Sequence, residues 1–273
     1  MADAIDAMRR AFGPDTEAPQ RQLVGSSFIM PGRVQQHVAV KVVSTVPGNP
    51  VGVVAVFDGE GTPVGLVDGP TLTTIRTGAG AGLATDMLAP RDATTFAMIG
   101  AGAMARDQIA AIRDVRDVAQ VVVWSRDPAK AMAVADDVGA RHAESPHEAV
   151  DGADIVTTAT PSTSPLFDVA ALLPQVHINA IGAYTPAMAE IPREFVREAF
   201  VVVEDRSAAA QEAGDLIQAD EEPDATMAEL LASPSARQYE RTLFKSVGIA
   251  TMDVAAAVRA LENAERMDLG TVV

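Results

Sequence analysis

The stretch Thr95-Phe96-Ala97-Met98-Ile99-Gly100-Ala101-Gly102-Ala103-Met104-Ala105 decides the fold of this chain. A short apolar run ends in the motif Gly-x-Gly-x-x-Ala, and a helical pattern continues to Ile112. In this motif the first glycine permits a tight turn, the second lets the backbone approach a pyrophosphate, and the small third residue lets helix and strand pack closely. The free N–H groups of the helix N-terminus would face the phosphates. The alternative is a ligand-free turn in an alanine-rich chain, but the order of strand, turn and helix favours a Rossmann dinucleotide-binding unit.

Downstream of this motif, apolar runs of strand length alternate with helical patterns. The predicted strands are Val121–Trp124, Ala140–Ala143, Ile155–Ala159, Val176–Ile181 and Phe200–Val203, and the predicted helices are Pro128–Val138 and Pro146–Val150. Such alternation predicts a parallel sheet with right-handed crossovers. The acidic stretch 220–224 is predicted to be a solvated loop.

Upstream of the motif, extended runs follow one another without helices between them. The runs Val38–Val46, Val51–Phe57 and Val64–Val67 predict an antiparallel meander, with turns at Pro47-Gly48-Asn49-Pro50 and Asp58-Gly59-Glu60-Gly61. Helical spacing is present in residues 2–12, in Pro70–Leu88 and in Met252–Arg266. The sequence therefore predicts a chain of the α/β class, in which a meander and a helix precede the Rossmann unit and a return segment follows it.

Composition excludes several classes of function. The 273 residues carry a formal net charge of −16, whereas nucleic-acid binding needs a basic surface. Such acidity fits both a salt-adapted protein and an ordinary cytosolic enzyme. The chain has no cysteine, which excludes disulfides and thiolate chemistry, and its histidines lack the spacing of metal ligands. No apolar run approaches the roughly 20 residues that span a membrane, and the acidic N-terminus does not resemble a secretion signal. We expect a cytoplasmic protein that binds no metal, membrane or nucleic acid.

The end of the second Rossmann strand indicates which dinucleotide binds. An NAD-specific site usually has Asp or Glu there, which accepts hydrogen bonds from the ribose hydroxyls. This strand ends in Ser125 and Arg126, and a hydroxyl with a guanidinium suits a 2′-phosphate better. We therefore expect NADP(H) to be preferred, with NAD(H) as the alternative if Asp127 reaches the ribose. The other interpretation of Arg126 is a solvated loop residue.

Several segments together resemble the ornithine cyclodeaminase/μ-crystallin family. They lie in the family's order between about Gln20 and Ala257, and they are Leu66–Gly69, Leu72–Thr77, Ile99–Ala105, Ala153–Thr160, His177–Gly182 and Leu243–Gly248. The resemblance implies a two-domain enzyme. Its Rossmann NAD(P)-binding domain would be residues 92–242. An α+β substrate-binding and dimerisation domain would combine the N-terminal meander with the C-terminal helix, residues 1–91 and 243–273. The resemblance also implies a homodimer.

The family implies hydride transfer between a nicotinamide and the carbon that bears the substrate nitrogen. This chain would then be an NAD(P)H-dependent oxidoreductase acting on C–N bonds of small amino or imino acids, of the ketimine reductase or amino-acid dehydrogenase type. The nicotinamide cofactor itself carries out that chemistry.

Two basic residues are candidates for binding the substrate carboxylate. Arg76 lies at the family's clamp position, and a planar guanidinium can pair with a carboxylate through two hydrogen bonds. Lys41, which matches a family lysine, lies in the apolar run 38–43, and a partly buried amine can have a pKa low enough for acid–base catalysis. The alternatives are a surface salt bridge for Arg76 and an edge-strand charge for Lys41. Arg21 and Met30 are further candidates for substrate binding.

Further cofactor contacts are expected in loops at the carboxyl ends of parallel strands, which face the cofactor in this fold. The candidates from the motifs are Gly100, Gly102, Ala103, Met104, Thr158, Thr160 and Pro161, and those implied by the resemblance are Ile181, Gly182, Ser246, Val247 and Gly248. We expect Asp215 to be structural, as a helix cap or a domain contact. We expect His177 to be packed rather than catalytic.

Tyr184 departs from the family pattern, because cyclodeaminases carry an aspartate in its place. A phenol with a pKa of about 10 does not readily replace that carboxylate as a base at neutral pH. Tyr184 is therefore a catalytic candidate only as a proton donor or as part of the pocket wall, and packing at a domain interface is its alternative. Two other functions stay open, an ornithine cyclodeaminase-type lyase that uses bound NAD and a nucleotide-binding protein without catalysis.

Overall fold

The fold is given by a computed structural model, which describes residues 1–46, 51–233 and 239–271. Contacts divide the chain into two compact units. The meander unit comprises Ala2–Arg76 and Gly248–Val273, and the parallel-sheet unit comprises Met1 and Thr77–Val247. The turn predicted at Pro47-Gly48-Asn49-Pro50 lies outside the described residues.

Helices and strands are numbered in chain order. The helices of the described residues are α1 (Ala2–Ala11), α2 (Gly69–Leu88), α3 (Ala105–Val115), α4 (Pro128–Val138), α5 (Pro146–Val150), α6 (Arg193–Glu198), α7 (Arg206–Glu212), α8 (Gly214–Ala219), α9 (Met227–Ala232) and α10 (Ala250–Arg266). The strands are β1 (Thr16–Glu17), β2 (Gln22–Val24), β3 (Ser27–Val34), β4 (His37–Ser44), β5 (Gly52–Phe57), β6 (Pro63–Asp68), β7 (Thr95–Ile99), β8 (Gln120–Trp124), β9 (Arg141–His142), β10 (Ile155–Thr158), β11 (Val176–Ala180), β12 (Phe200–Val203), β13 (Ala225–Thr226) and β14 (Arg241–Lys245).

The meander unit is an antiparallel sheet with helices on one face. Its strand order is β1-β3-β4-β5-β6, and β2 also pairs with β3, so the predicted meander is confirmed. Residues on the covered face, such as Met30, Lys41 and Val54, are buried. Helix α10 packs so closely on this face that a Cβ at Gly32 would lie 2.8 Å from Cβ of Ala250.

Strand β3 was not predicted, because Pro31 and Gly32 at its centre usually interrupt a strand. The pairing shows why they are tolerated. On one edge β3 pairs with β2 as far as Ile29 and with β1 from Arg33, which leaves Pro31 in the gap between the two. Gly32 is needed because α10 approaches the strand there. A glycine inside a strand thus marks the close approach of another element.

The parallel-sheet unit has eight strands in the order β13-β12-β14-β11-β10-β7-β8-β9, and all their pairings are parallel. Alternate residues of β7 enter different core clusters, Phe96 and Met98 in one and Ala97 and Ile99 in the other. The chain runs outward from β7 to β9 and then returns to the other side of β7 with β10. Ligands of open α/β sheets bind at the carboxyl ends of the strands where the order reverses, which here lies between β7 and β10. The predicted Rossmann sheet is confirmed.

The observed division of the chain differs from the predicted bounds at 91/92 and 242/243. The contacts divide it after Arg76, inside α2, and after Val247. Position 243 falls within β14, which pairs with both β11 and β12 in the parallel sheet. Helices α6 to α9 were not predicted, since each spans only six or seven residues and shows little periodicity.

No helix in the described part of the chain combines the length and the apolar character needed to cross a bilayer.

Candidate active site

The glycine turn lies at the carboxyl end of β7. Gly100 has φ of +118°, its N–H donates to the carbonyl of Trp124 at 2.8 Å, and a Cβ there would lie 2.5 Å from the carbonyl oxygen of Ala159. Gly102 is different, because it is exposed and a Cβ there would meet no protein atom within 4 Å. The backbone therefore requires the first glycine, whereas nothing in the described chain requires the second. The open space at Gly102, next to the exposed Ala103 and half-buried Met104 before α3, fits the pyrophosphate of a dinucleotide.

Three polar residues follow β8, which ends at Trp124. Ser125 is half-buried, and Arg126 is exposed. Asp127 is the N-cap of α4, because its Oδ1 accepts the N–H groups of Ala129 at 3.1 Å and Lys130 at 3.4 Å. The carboxylate on which an NAD-type ribose contact would depend is thus engaged in capping a helix.

The other predicted cofactor residues of this unit follow β10, β11 and β14. Thr158 is fully buried, and its Oγ1 has no hydrogen-bond partner among the described residues. Thr160 is half-buried and Pro161 is exposed. Ile181 is buried and Gly182 half-buried after β11, and Ser246 and Val247 are buried after β14. All these loops leave the same edge of the sheet as the glycine turn does.

Two buried glutamates that the sequence analysis missed hold these loops. The carboxylate of Glu190 accepts hydrogen bonds from Thr160, Gly182 and Ala183, and burial raises its pKa. The carboxylate of Glu204 accepts the hydroxyl of Ser246 and, at 3.0 Å, the N–H of Val247. Neither glutamate lies in a motif, so no local pattern identifies them.

Asp215 and Lys245 form a fully buried ion pair beside Glu190, with 2.9 Å between Lys245 Nζ and Asp215 Oδ2. Oδ1 of Asp215 accepts the backbone N–H of Glu190 at 2.6 Å and of Ile191 at 3.0 Å. Asp215 is structural, as predicted, but it is not a helix cap, because it lies inside α8 and Ala213 holds the N-cap position. His177 is completely buried, bonds to Thr242 and Asn179, and has its pKa lowered to about 3 by desolvation, so it is packed as predicted.

In the meander unit, Lys41 and Arg76 meet at one carboxylate. Lys41 Nζ lies 2.8 Å from Oδ2 of Asp253, and Arg76 Nε lies 3.0 Å from Oδ1 of the same residue. All three side chains are buried, with exposed fractions of 3%, 7% and 2%. The alternatives of a surface salt bridge and a solvated edge charge are therefore wrong. Asp253 was missed, although it is the one acidic residue in the apolar stretch 250–258 of the C-terminal helix.

Burial is the main cause of the shifted pKa of Lys41. Desolvation lowers the pKa of its amine to about 8, against the opposing attraction of Asp253, and the charges of Arg76 and Arg21 lower it further. An amine with this pKa is mostly protonated at neutral pH and can exchange its proton near that pH. Lys41 Nζ also donates to Oγ1 of Thr73 at 3.5 Å.

The other predicted residues of this unit are Met30, Arg21 and Gly248. Met30 is the register partner of Lys41. The guanidinium of Arg21 stacks on the ring of Phe28 at 4.7 Å. Gly248 has φ of +78°, and a Cβ there would lie 2.7 Å from Nη1 of Arg76, so the glycine gives the guanidinium its space. Tyr184 belongs to the parallel-sheet unit, where its side chain is 47% exposed after β11.

A Rossmann sheet with a glycine turn is typical of dinucleotide-dependent enzymes, and a buried cluster of two cations and one carboxylate is suited to a small anion. The chain belongs to the ornithine cyclodeaminase/mu-crystallin family, whose family model matches residues 10–268.

Individual relatives narrow the class. The chain is 34% identical over 275 residues to a Delta(1)-pyrroline-2-carboxylate reductase of Bacillus cereus, and the match covers 91% of this chain and 84% of the relative. The solved structure of Thermococcus litoralis Delta(1)-pyrroline-2-carboxylate reductase in complex with NADH and L-proline has a TM-score of 0.91 and 30% identity, covering 99% of this chain and 95% of that one. An archaeal alanine dehydrogenase dimer with bound NAD has a TM-score of 0.91 and 26% identity, covering 100% and 94%. These findings confirm the predicted family and fold, and the relatives are oxidoreductases of the predicted class.

The contrast between the two glycines of the turn is testable. We expect Gly102→Ala to fold with a free energy of unfolding within about 1 kcal/mol of the wild type, since its Cβ meets no protein atom. The same methyl group should weaken dinucleotide binding by roughly 10-fold or more, because it occupies the space of the pyrophosphate. Gly100→Ala is the matched variant and should lose about 1–3 kcal/mol of stability. Calorimetric binding and chemical denaturation measure both effects. Unchanged binding by folded Gly102→Ala would contradict this assignment.

The pKa of Lys41 is also testable, because the chain has only three lysines, Lys41, Lys130 and Lys245. NMR titration of ε-¹³C-labelled lysine should show one amine with a pKa of about 8, and Lys41→Met should remove that signal. Asp253→Asn should lower this pKa further, because the carboxylate favours the charged amine. Lys130, which is exposed, is the internal comparison. A pKa of Lys41 that rises or stays the same in Asp253→Asn would refute the pairing.

Proposed function

We propose that this protein is an NADPH-dependent reductase of small cyclic imino acids, which also oxidises the corresponding amino acids in the reverse direction. The observation that carries the proposal is the buried cluster of Lys41, Arg76 and Asp253, in which two cations share one carboxylate. With Lys41 protonated this cluster has a net charge of about +1 and is suited to a substrate with one carboxylate. The relatives named as reductases of a cyclic imino acid carboxylate support this substrate class.

Each residue of the cluster has a proposed role. The guanidinium of Arg76 uses Nε for Asp253, and its terminal nitrogens are assigned to the substrate carboxylate. Lys41 is assigned the proton that the substrate nitrogen needs before its carbon accepts a hydride. Asp253 orients both cations and keeps them charged. The cofactor, when bound, supplies or accepts the hydride.

Reduction is favoured over cyclodeamination by the position of Tyr184. The residue in the place of the family aspartate is a phenol, and its side chain is 47% exposed. A phenol with a pKa of about 10 is a poor general base at neutral pH, whereas hydride transfer to a carbon needs no such base. Tyr184 is proposed as a wall of the substrate pocket.

The preference for NADP(H) rests on the end of β8. Ser125 and Arg126 follow the strand end and are proposed to face a 2′-phosphate, whereas Asp127 already caps α4. Relatives with NADH or NAD bound show that the family also accepts the form without this phosphate. The guanidinium of Arg126, exposed and next to the strand end, is proposed as the residue that distinguishes the two.

A homodimer is proposed through the uncovered face of the meander sheet. Val38, Val42, Val53 and Leu66 expose 37–69% of their surface on neighbouring strands of this face. An apolar sheet face of this kind is typical of a protein interface, and a second copy of the chain is its proposed partner. The dimer named in the alanine dehydrogenase structure supports this assembly. Light scattering of the purified protein measures its oligomeric state.

The central test is oxidation of NADPH with five- and six-membered cyclic imino acids and with pyruvate plus ammonia or methylamine. We expect the cyclic imino acids to be reduced fastest, with kcat/KM falling above about pH 8 as Lys41 loses its proton. Arg76→Lys keeps the charge but loses the planar fork, so KM for the imino acid should rise roughly 10- to 100-fold. Arg193→Lys, on the exposed side of α6, is the matched control and should behave as the wild type.

Two outcomes would overturn this function. If NADPH binds but no imine is reduced, the protein is a nucleotide-binding protein without this catalysis. If ornithine yields proline and ammonia without net change of the cofactor, the protein is a cyclodeaminase.

The role of Arg126 has its own test. Arg126→Ala should raise KM for NADPH roughly 10-fold or more and leave KM for NADH within about 3-fold, because only NADPH carries the 2′-phosphate. Arg193→Ala removes an exposed arginine elsewhere in the same unit and serves as the control. Equal changes for both cofactors, or a wild type that prefers NADH, would refute the assignment.

A further inference from the structure

Glu190 is a fully buried carboxylate at which two loops of the carboxyl edge meet. Its Oε1 accepts the N–H of Thr160 at 2.7 Å and the hydroxyl of Thr160 at 2.8 Å. Its Oε2 accepts the N–H of Gly182 at 2.6 Å and of Ala183 at 3.1 Å. One loop follows β10 and the other follows β11, so a single side chain fixes the distance between them.

We propose that Glu190 is a positioning residue for the nicotinamide half of the cofactor, which it orders through loops 159–161 and 181–183 without contacting the cofactor. The proposal rests on the proposed function, because it assumes that a nicotinamide dinucleotide binds along these loops for hydride transfer. Glu190 belongs neither to the glycine motif nor to the residues that follow β8, so neither sequence feature predicts a role for it.

The chemistry of the four contacts requires a carboxylate. Three backbone N–H groups and one hydroxyl point at its two oxygens, and an ionised carboxylate only accepts hydrogen bonds. Glutamine has nearly the same shape, but its NH₂ group would face N–H donors of one loop. Aspartate keeps the charge, but it is shorter by one methylene and cannot reach both loops with the same backbone.

Glu190 is also held from outside loops 159–161 and 181–183. The Asp215 carboxylate accepts its backbone N–H at 2.6 Å. Asp215 pairs with Lys245 of β14, and Lys245 Nζ donates to the carbonyl of Ala180, the last residue of β11, at 3.3 Å. These contacts connect Glu190, and through it both loops, to the central strands β14 and β11.

The packing at Gly182 shows how tightly the two loops are set. A Cβ on Gly182 would overlap the backbone N and O of Thr160, and it would lie 2.6 Å from Oε1 of Glu190. The backbones therefore touch at the point that Glu190 bridges. A rigid contact of this kind between the two loops can fix the position of the nicotinamide ring that binds along them.

The two halves of the cofactor allow a positioning role to be separated from general stability. The glycine turn and the end of β8 are assigned to the phosphates and the adenosine half, and neither contacts Glu190 among the described residues. Gly100 does pack against Ala159, but the backbone of the turn is fixed by its own bond from the Gly100 N–H to the carbonyl of Trp124. A loss of fold would weaken the binding of both halves alike, whereas loosened loops would weaken the binding of the nicotinamide half most.

The experiment compares 2′-phospho-ADP-ribose, which lacks nicotinamide, with NADPH in Glu190→Gln, Glu190→Asp and the control Glu194→Gln on the exposed side of α6. Trp124 is the only tryptophan and its carbonyl bonds to Gly100, so its emission, and its energy transfer to the reduced ring, report on binding. We expect both Glu190 variants to bind NADPH about 10-fold more weakly and 2′-phospho-ADP-ribose within about 2-fold of the wild type. Glu194→Gln should match the wild type for both ligands.

Equal weakening of both ligands, or no weakening of either, would overturn the positioning role. Amide hydrogen exchange of the wild type gives an answer that needs no variant, because the N–H groups of Thr160, Gly182 and Ala183 should be protected without cofactor. Fast exchange at these three amides would also overturn it. None of these measurements uses an imine, so failure of the reductase activity would be recognised separately, by binding of NADPH without turnover.

Discussion

A charge that leaves water needs a partner, and this constraint shapes both units of the chain. An isolated buried charge costs several kcal/mol even after relaxation, whereas a paired and hydrogen-bonded one can be accommodated. In the meander unit, Lys41 and Arg76 are buried because Asp253 faces both. In the parallel-sheet unit, Lys245 is buried because Asp215 faces it. Each pairing joins elements that are far apart in sequence, so it fixes the positions of the elements as well as the charges.

The balance of buried charge differs between the two units. Beside β4 and α10 the cations outnumber the carboxylate, so the cluster is suited to a further anion, here the proposed substrate carboxylate. At the carboxyl edge of the parallel sheet the buried carboxylates are satisfied by the protein itself, since Glu190 receives four hydrogen bonds and Glu204 holds the β14 loop. An unsatisfied positive charge suits the binding of a substrate, whereas a saturated network suits the holding of a loop. The same physical rule thus accounts for the proposed binding site in one unit and for the loop scaffold in the other.

Local patterns were sufficient for most of the fold, because the strand-turn-helix order around Gly100 and the alternating meander are encoded within short windows. Lys41 and Arg76 could be selected because a charge in an apolar run is conspicuous. Asp253 carried the same signal within 250–258 and could have been found by asking which acid balances two buried cations. Glu190 carried no such signal, since its four donors come from loops that only the tertiary fold brings together. Strand β3 could not be predicted for the same reason. The gap between β1 and β2 at Pro31 and the packing of α10 over Gly32 depend on other elements and leave no local pattern in the sequence.

Under the proposed function, the charge of the cluster would also link substrate binding to proton transfer. Burial lowers the pKa of Lys41 to about 8, so that a minority of the amine is neutral at pH 7 in the free protein. A substrate carboxylate placed beside Arg76 would add a negative charge and favour the protonated amine, as Asp253 already does. The arrival of an anionic imine would then raise the pKa of Lys41 when the nitrogen of the imine needs a proton. A neutral imine would lack this effect and would meet a smaller fraction of protonated enzyme above pH 8. In the proposed reaction the substrate carboxylate would therefore contribute to affinity and also favour the protonated form of Lys41.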